Sequence, residues 1–119
     1  MKKILIIEDE KTLSKALALK LTLSGFAVTT AFDGESGVAF LLKETFALIL
    51  LDLVMPKMGG FEVLAILKEK NILTPVMVLS NLSQESDLRR AKEFGAKEFF
   101  IKSNTPLMTI VGHVIQILK

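Results

Sequence analysis

The chain contains no cysteine, no tryptophan and no tyrosine, and His113 is its single histidine. Without thiols there are no disulfide staples, no thiolate metal sites and no cysteine nucleophile, which fits a reducing compartment. An excess of one charge sign is missing too. The net charge is +2 and the basic residues are scattered, so the chain lacks the gathered Lys/Arg footprint of a nucleic-acid binder. Long apolar runs are absent as well. Met1-Lys2-Lys3 followed by Ile4-Leu5-Ile6-Ile7 starts like a secretory leader, but the run stops at Glu8-Asp9-Glu10, too early for a signal-peptide core. No stretch approaches the ~20 apolar residues that cross a bilayer. These absences predict a soluble, cytoplasmic protein with no membrane partner and no direct nucleic-acid partner. With 119 residues, half of them hydrophobic, residues 1–119 are expected to form one domain around one core, with no room for a catalytic domain plus a separate output module.

What is present is a set of short apolar runs: Ile4 to Ile7, Leu48 to Leu51, Val76 to Leu79 and Phe99 to Ile101, with Ala27 to Ala31 as a weaker relative. Continuous rather than alternating hydrophobicity marks strands covered on both faces, as in parallel sheets; the weaker run is then an edge strand. Segments of helical period lie between them. Thr12 to Ser24 sets Leu13, Ala16, Leu17 and Leu21 on one side and stops at Gly25. Lys20 falls inside that apolar arc, so its stem must snorkel outward. Glu35 to Lys43, Gly60 to Lys70 and Ser83 to Phe94 follow the same rule, the last stopped by Gly95. A fifth helix is expected to start at Asn104-Thr105-Pro106, with a polar cap and proline at the first helical position. It should bury Leu107, Ile110, Val111, Val114 and Leu118, leaving His113 as a solvated surface residue. Five strand–helix units with right-handed crossovers predict an α/β fold, a doubly wound, five-stranded parallel sheet with five helices on its two faces; its strand order is taken as the flavodoxin-like 2-1-3-4-5.

The polar residues that stop the strands carry the chemistry. Glu8-Asp9 ends the first strand, Asp52 the third, Ser80 the fourth and Lys102 the fifth. In such a sheet, ligands bind at the carboxyl ends of strands, beside the point where strand order reverses. That point lies between the first and third strands, so Glu8, Asp9 and Asp52 should share one pocket with Ser80 and Lys102 on its far side. Close carboxylates repel, and a pocket tolerates them only with a cation or with raised pKa values. A hard, all-oxygen site with few protein ligands suits Mg²⁺, which keeps waters and shares a phosphate oxygen. Cation and Lys102 together would make Asp52 approachable by an anionic phosphoryl group, whose transfer needs mainly positioning and electrostatic stabilisation.

The acidic pair after the first strand, Asp52-Leu53-Val54-Met55-Pro56-Lys57-Met58-Gly59-Gly60, Ser80, and Gly95-Ala96-Lys97-Glu98-Phe99-Phe100-Ile101-Lys102 resemble the receiver domains of two-component systems, over essentially the whole chain. The resemblance implies a single receiver domain over 1–119 that acts as a phosphorylation-controlled switch and has no separate substrate, though it assists its own phosphotransfer and dephosphorylation. It implies that Asp52 is the phospho-acceptor and that Glu8, Asp9, Asp52 and the Val54 carbonyl hold Mg²⁺. Lys102 would pair with the phosphoryl group, Ser80 would hydrogen-bond it, and Phe99 would be the switch aromatic. The donor would be a phosphohistidine on a sensor histidine kinase or phosphotransfer protein. The signal would leave through the face of the fourth helix, fifth strand and fifth helix, to a downstream effector or an attached output domain. Two positions depart from the family pattern: Asn81 stands where a small residue usually follows the hydroxyl, and Ser103 where proline usually follows the lysine. With serine there, the cis peptide loses the low cost that proline allows, so a trans Lys102–Ser103 bond is expected.

Taken singly, each residue has an ordinary reading. Glu8 and Asp9 would cap a helix, Asp52 would start a loop, Ser80 would cap a turn, Lys102 would be a solvated charge and Phe99 would be core. Their joint placement at successive strand ends favours the site. A receiver-like interaction domain that works without phosphate is the alternative, given Asn81 and Ser103. A flavin-binding reading is disfavoured because the loop after the first strand is acidic. A phosphatase acting through an aspartyl-phosphate is disfavoured because no second acid stands two residues after Asp52.

Overall fold

A computed structural model describes residues 1–82 and 84–119. Each apolar run becomes a parallel strand, and the chain alternates strand and helix throughout: β1 (Lys3–Ile7), α1 (Lys11–Leu23), β2 (Ala27–Ala31), α2 (Gly34–Lys43), β3 (Leu48–Asp52), α3 (Gly60–Glu69), β4 (Val76–Ser80), α4 (Glu85–Glu93), β5 (Glu98–Ile101) and α5 (Leu107–Ile117). The sheet order is β2-β1-β3-β4-β5, as expected. Ile4 pairs with Leu48, Ile49 with Val76, and Ser80 with Ile101. β3 and β4 are buried at every position. The less apolar β2 is a half-buried edge, and β5 is the opposite edge.

Side chains alternate across a strand, so each central strand feeds two cores. Leu5, Ile7, Ile49, Leu51 and Val78 face α2, α3 and α4, packing with Leu41, Val63, Leu64 and Ala91. Ile4, Ile6, Leu50, Met77 and Leu79 face α1 and α5, packing with Leu17, Leu21, Ile110, Val111 and Val114. Each fully buried aliphatic side chain contributes about 1.5–3 kcal/mol, which makes the two-sided burial the main source of stability. Lys20, inside the apolar arc of α1, is exposed, as snorkelling requires.

The helix ends follow local chemistry. α1 and α4 stop at Gly25 and Gly95, with φ of 98° and 95°, a conformation open to glycine and costly for most other residues. Asp33 caps α2 by accepting the Ser36 N–H at 2.7 Å. Two starts differ from the sequence expectation. Ser83, the expected start of the fourth helix, lies outside the described residues; α4 begins at Glu85 after an extended Gln84 whose carbonyl accepts the Asp87 and Leu88 N–H groups. Pro106 is not the first residue of α5. Its ψ of 145° keeps it extended at the cap position, where its carbonyl accepts from Thr109 and Ile110. Asn104 belongs instead to a 3₁₀ turn, Lys102–Asn104, that follows β5. His113 is exposed on α5, as expected; its Nδ1 lies 3.2 Å from Glu98 Oε1, and its ring meets Phe100 edge-on at 5.0 Å.

Candidate functional site

β1 and β3 are neighbours whose helices leave from opposite faces of the sheet, so a crevice opens beyond their carboxyl ends. Glu8 and Asp9 follow β1, Asp52 closes β3, and Lys102 follows β5. The structure brings oxygen atoms of Glu8, Asp9 and Asp52 within 4.8 Å of one another. Glu8 and Asp52 are only 1 % and 4 % exposed. Lys102 does not stay on the far side of the pocket. It crosses to Glu8 Oε2 at 2.9 Å, Glu10 Oε2 at 2.8 Å and Asp52 Oδ2 at 3.1 Å. Glu8 Oε2 also accepts the Glu10 N–H at 3.0 Å, and Asp52 Oδ1 accepts the Val54 N–H at 3.4 Å.

One ammonium cannot neutralise this many carboxylates, and their burial makes each charge costlier still. Burial pushes the Glu8 carboxyl up to about 7, against the opposing pull of its Lys102 and Glu10 hydrogen bonds. Burial likewise raises the Asp52 pKa, again opposed by Lys102. For Lys102, burial works against the charge, but hydrogen bonds to Glu10, Glu8 and Asp52 outweigh it and hold the ammonium above the ordinary lysine value. Glu8 Oε1 is buried with no hydrogen-bond partner among the described residues, its contact being the ion pair with Lys102 Nζ at 2.8 Å. Three carboxylates whose oxygens converge within 4.8 Å, two of them buried, are a donor set that fits a hard divalent cation.

The β3–α3 loop is built to crowd Asp52. A Cβ on Gly60 would sit 2.3 Å from the Asp52 carbonyl oxygen, so the close approach of α3 to the end of β3 depends on glycine. The Gly60 N–H donates to the Leu53 carbonyl at 2.9 Å. Lys57 and Met58 hold φ of 50° and 88°, a conformation rare for residues with a side chain and enriched at functional loops.

Ser80 is fully buried at the end of β4, and its Oγ accepts the Leu82 N–H at 3.2 Å. It lines, with Asp9, Asp52, Val54 and Lys102, a cavity of about 320 Å³. Phe99 pairs with Val78 two positions before the Ser80–Ile101 pair, and so lies on the same sheet face as Ser80. It packs half-buried against the α2–α3–α4 core.

Two features of the site go beyond the sequence pattern. Glu10 supplies the third carboxylate on Lys102; the uninterrupted acid run Glu8-Asp9-Glu10 is the signal that points to it. Asn81 is tied to the neighbouring loop. Its Oδ1 accepts the Ser103 backbone N–H at 3.0 Å, a donor that exists because position 103 is not proline. The Lys102–Ser103 peptide is trans, as the loss of proline predicts.

Among the described residues, no helix is long and apolar enough to cross a membrane. The profile of the response regulator receiver domain family matches residues 4–111. The transcriptional regulatory protein DltR of Streptococcus agalactiae is 34 % identical over 100 residues, covering 84 % of this chain and 45 % of DltR. The chain thus spans less than half the length of the curated relatives it matches. The receiver domain of the Francisella response regulator 1452 superposes with a TM-score of 0.92 at 26 % identity, over 98 % of this chain and 96 % of that one. The Thermotoga maritima response regulator TrrA, solved in complex with Mg²⁺-BeF, superposes with a TM-score of 0.84 at 27 % identity, over 98 % and 99 %. With the predicted strand order in place and a family match that runs through every strand end carrying a polar residue, the chain belongs to the response regulator receiver domains, the signalling modules of two-component systems.

Proposed function

We propose that the domain is switched by phosphorylation of Asp52, taken from a phosphohistidine on a sensor histidine kinase or phosphotransfer protein in the cytoplasm. The observation that carries this reading is the burial of Asp52 at the centre of a set of carboxylates bridged by Lys102. An Asp52 Oδ would attack phosphorus, the P–N bond to the histidine would break with its electrons leaving on nitrogen, and an acyl phosphate would result. Glu8, Asp9, Asp52 and the Val54 carbonyl would hold Mg²⁺, whose bound form would draw charge from the phosphoryl oxygens. Lys102 is already within 3.1 Å of Asp52 Oδ2 and would neutralise the same developing charge. Its three carboxylate partners keep it protonated at the pH of the reaction.

Ser80, whose Oγ accepts the Leu82 N–H, would then donate its own O–H to a phosphoryl oxygen. Ser80 and Phe99 share one sheet face, so an inward shift of the loop after β4 would free space for the ring. The signal would leave by the α4–β5–α5 surface to an effector or an attached output domain. The buried site slows water entry, and loss of phosphate would use the same residues with water as the nucleophile.

The test is incubation of the protein with Mg²⁺ and phosphoramidate, followed by intact mass measurement. A single phosphoryl adduct is expected, lost in Asp52→Asn and strongly reduced without Mg²⁺. An adduct that survives Asp52→Asn refutes Asp52 as the acceptor, and no adduct at all leaves an interaction domain that works without phosphate.

A further inference from the structure

The two residues that flank the proposed phosphoryl position from adjacent strands, Ser80 and Lys102, are each followed by a loop, and one hydrogen bond joins those loops. Asn81 Oδ1 accepts the Ser103 N–H at 3.0 Å. Lys102 needs such an anchor. It starts a single 3₁₀ turn with no side-chain cap of its own, and β5, the strand before it, is half-buried at the sheet edge. The first N–H groups of any helical turn have no partner inside that turn. Asn81 satisfies one of them from across the strand gap, acting as a cap supplied by another loop. β4, by contrast, is buried at every position and bounded by strands on both sides, so the anchor runs from the end of a central strand to the end of an edge strand, whose turn is otherwise held by the Thr105 hydroxyl donating to the Ile101 carbonyl.

We propose that Asn81 is a positioning residue: its hydrogen bond to the Ser103 N–H fixes the turn that carries Lys102 and so keeps Nζ aimed at Asp52. A lysine has a long flexible stem, and holding its head in one place costs rotamer entropy. The long stem gives Lys102 many ways to miss the pocket if its backbone is free. With the backbone fixed, the side chain is 10 % exposed and its Nζ contacts Glu8, Glu10 and Asp52 together. The same bond makes Asn81 and Ser103 a pair, since the amide side chain is useful only if residue 103 carries a backbone N–H. The effect on rate rests on the proposed phosphorylation of Asp52; the hydrogen bond itself does not.

The experiment separates the two. Asn81→Leu keeps the bulk and removes the acceptor, Ser103→Pro removes the donor, and Ser103→Ala changes the side chain but keeps the N–H. Adduct formation from phosphoramidate with Mg²⁺ is timed in each, and Ser103 amide hydrogen exchange is followed by NMR. Asn81→Leu and Ser103→Pro should each slow phosphorylation roughly three- to tenfold, the size of one neutral hydrogen bond. The double variant should be no slower than the slower single, and Ser103→Ala should match wild type. The Ser103 amide should exchange faster in Asn81→Leu than in wild type. Additive losses in the double variant, a Ser103→Ala as slow as Ser103→Pro, or equal Ser103 exchange in wild type and Asn81→Leu each overturn the proposal. A wild type that takes no phosphoryl group refutes the phosphorylation reading instead, and the exchange comparison then decides the anchor alone.

Discussion

Replacing Glu8 by glutamine should stabilise the metal-free protein at neutral pH and abolish its response to Mg²⁺. Glu8 is 1 % exposed, and burial lifts its pKa from 4.5 to about 7. Between those two values the native state holds a proton that the unfolded chain has lost. Stability must therefore fall as pH rises through this window and level off above it. Each tenfold change in proton affinity corresponds to about 1.4 kcal/mol, so the full window is on the order of 3 kcal/mol. Asp52 moves in the same direction and adds to the fall. Lys102 is held above 10.5, so its charge is constant across this range. In Glu8→Gln the group no longer ionises. The variant should equal wild type near pH 4 and exceed it by about 3 kcal/mol at pH 8, a gain in Tm of roughly 10 °C for a chain this size. Urea or thermal unfolding in EDTA, at several pH values between 4 and 8, reads this directly. Saturating Mg²⁺ should reverse the order at pH 8, because wild type would gain binding energy through the proposed ligand Glu8 that the variant lacks. A wild-type stability that stays flat from pH 4.5 to 8 refutes the reasoning. So does a Glu8→Gln variant no more stable than wild type at pH 8.

Gly60→Ala would press a methyl to 2.3 Å from the Asp52 carbonyl oxygen, and urea unfolding should register a loss of about 1–3 kcal/mol from overpacking; an unchanged midpoint would mean the loop yields freely. Asn81→Ala should shorten the life of the phosphorylated form, since it removes bulk at the pocket mouth that hinders an attacking water, which the apolar side chains of Val54 and Leu82 cannot position by hydrogen bonds. Phosphate loss as slow as, or slower than, wild type would contradict this. α5 exposes Thr109, Gly112, His113 and Gln116 with no row of charges, so any dimer through this helix should survive raised salt; sedimentation that shows a salt-sensitive dimer on that face would count against the reading.

Much of this protein is legible in its sequence because its strands are covered on both faces. Unbroken apolar runs such as Leu48 to Leu51 can satisfy their burial in few ways, and a polar residue that ends such a run falls at the sheet's carboxyl edge. Hence Glu8, Asp9, Asp52, Ser80 and Lys102 fall near one another on pattern and connectivity alone. Glycine stops are legible for a related reason: Gly25 and Gly95 take a backbone conformation that few other residues adopt cheaply. Helix starts are less so. Pro106 fits both the first helical position and the extended cap, and the choice is made by the 3₁₀ turn that β5 feeds into it.

What the sequence alone determined was the alternation of strands and helices, the two-sided core and the polar residue at each strand end, since hydrophobic period leaves little freedom there; the strand order came from the likeness to a flavodoxin-like sheet. The tertiary structure decided the partners. Lys102 bridges Glu8, Glu10 and Asp52 because a long flexible side chain takes whatever carboxylates lie within reach, and these partners stand 50 to 94 residues away in the chain. The Asn81–Ser103 bond joins residues 22 positions apart. Periodicity has no means to record such a contact, because it depends on where two loops end after the sheet has closed.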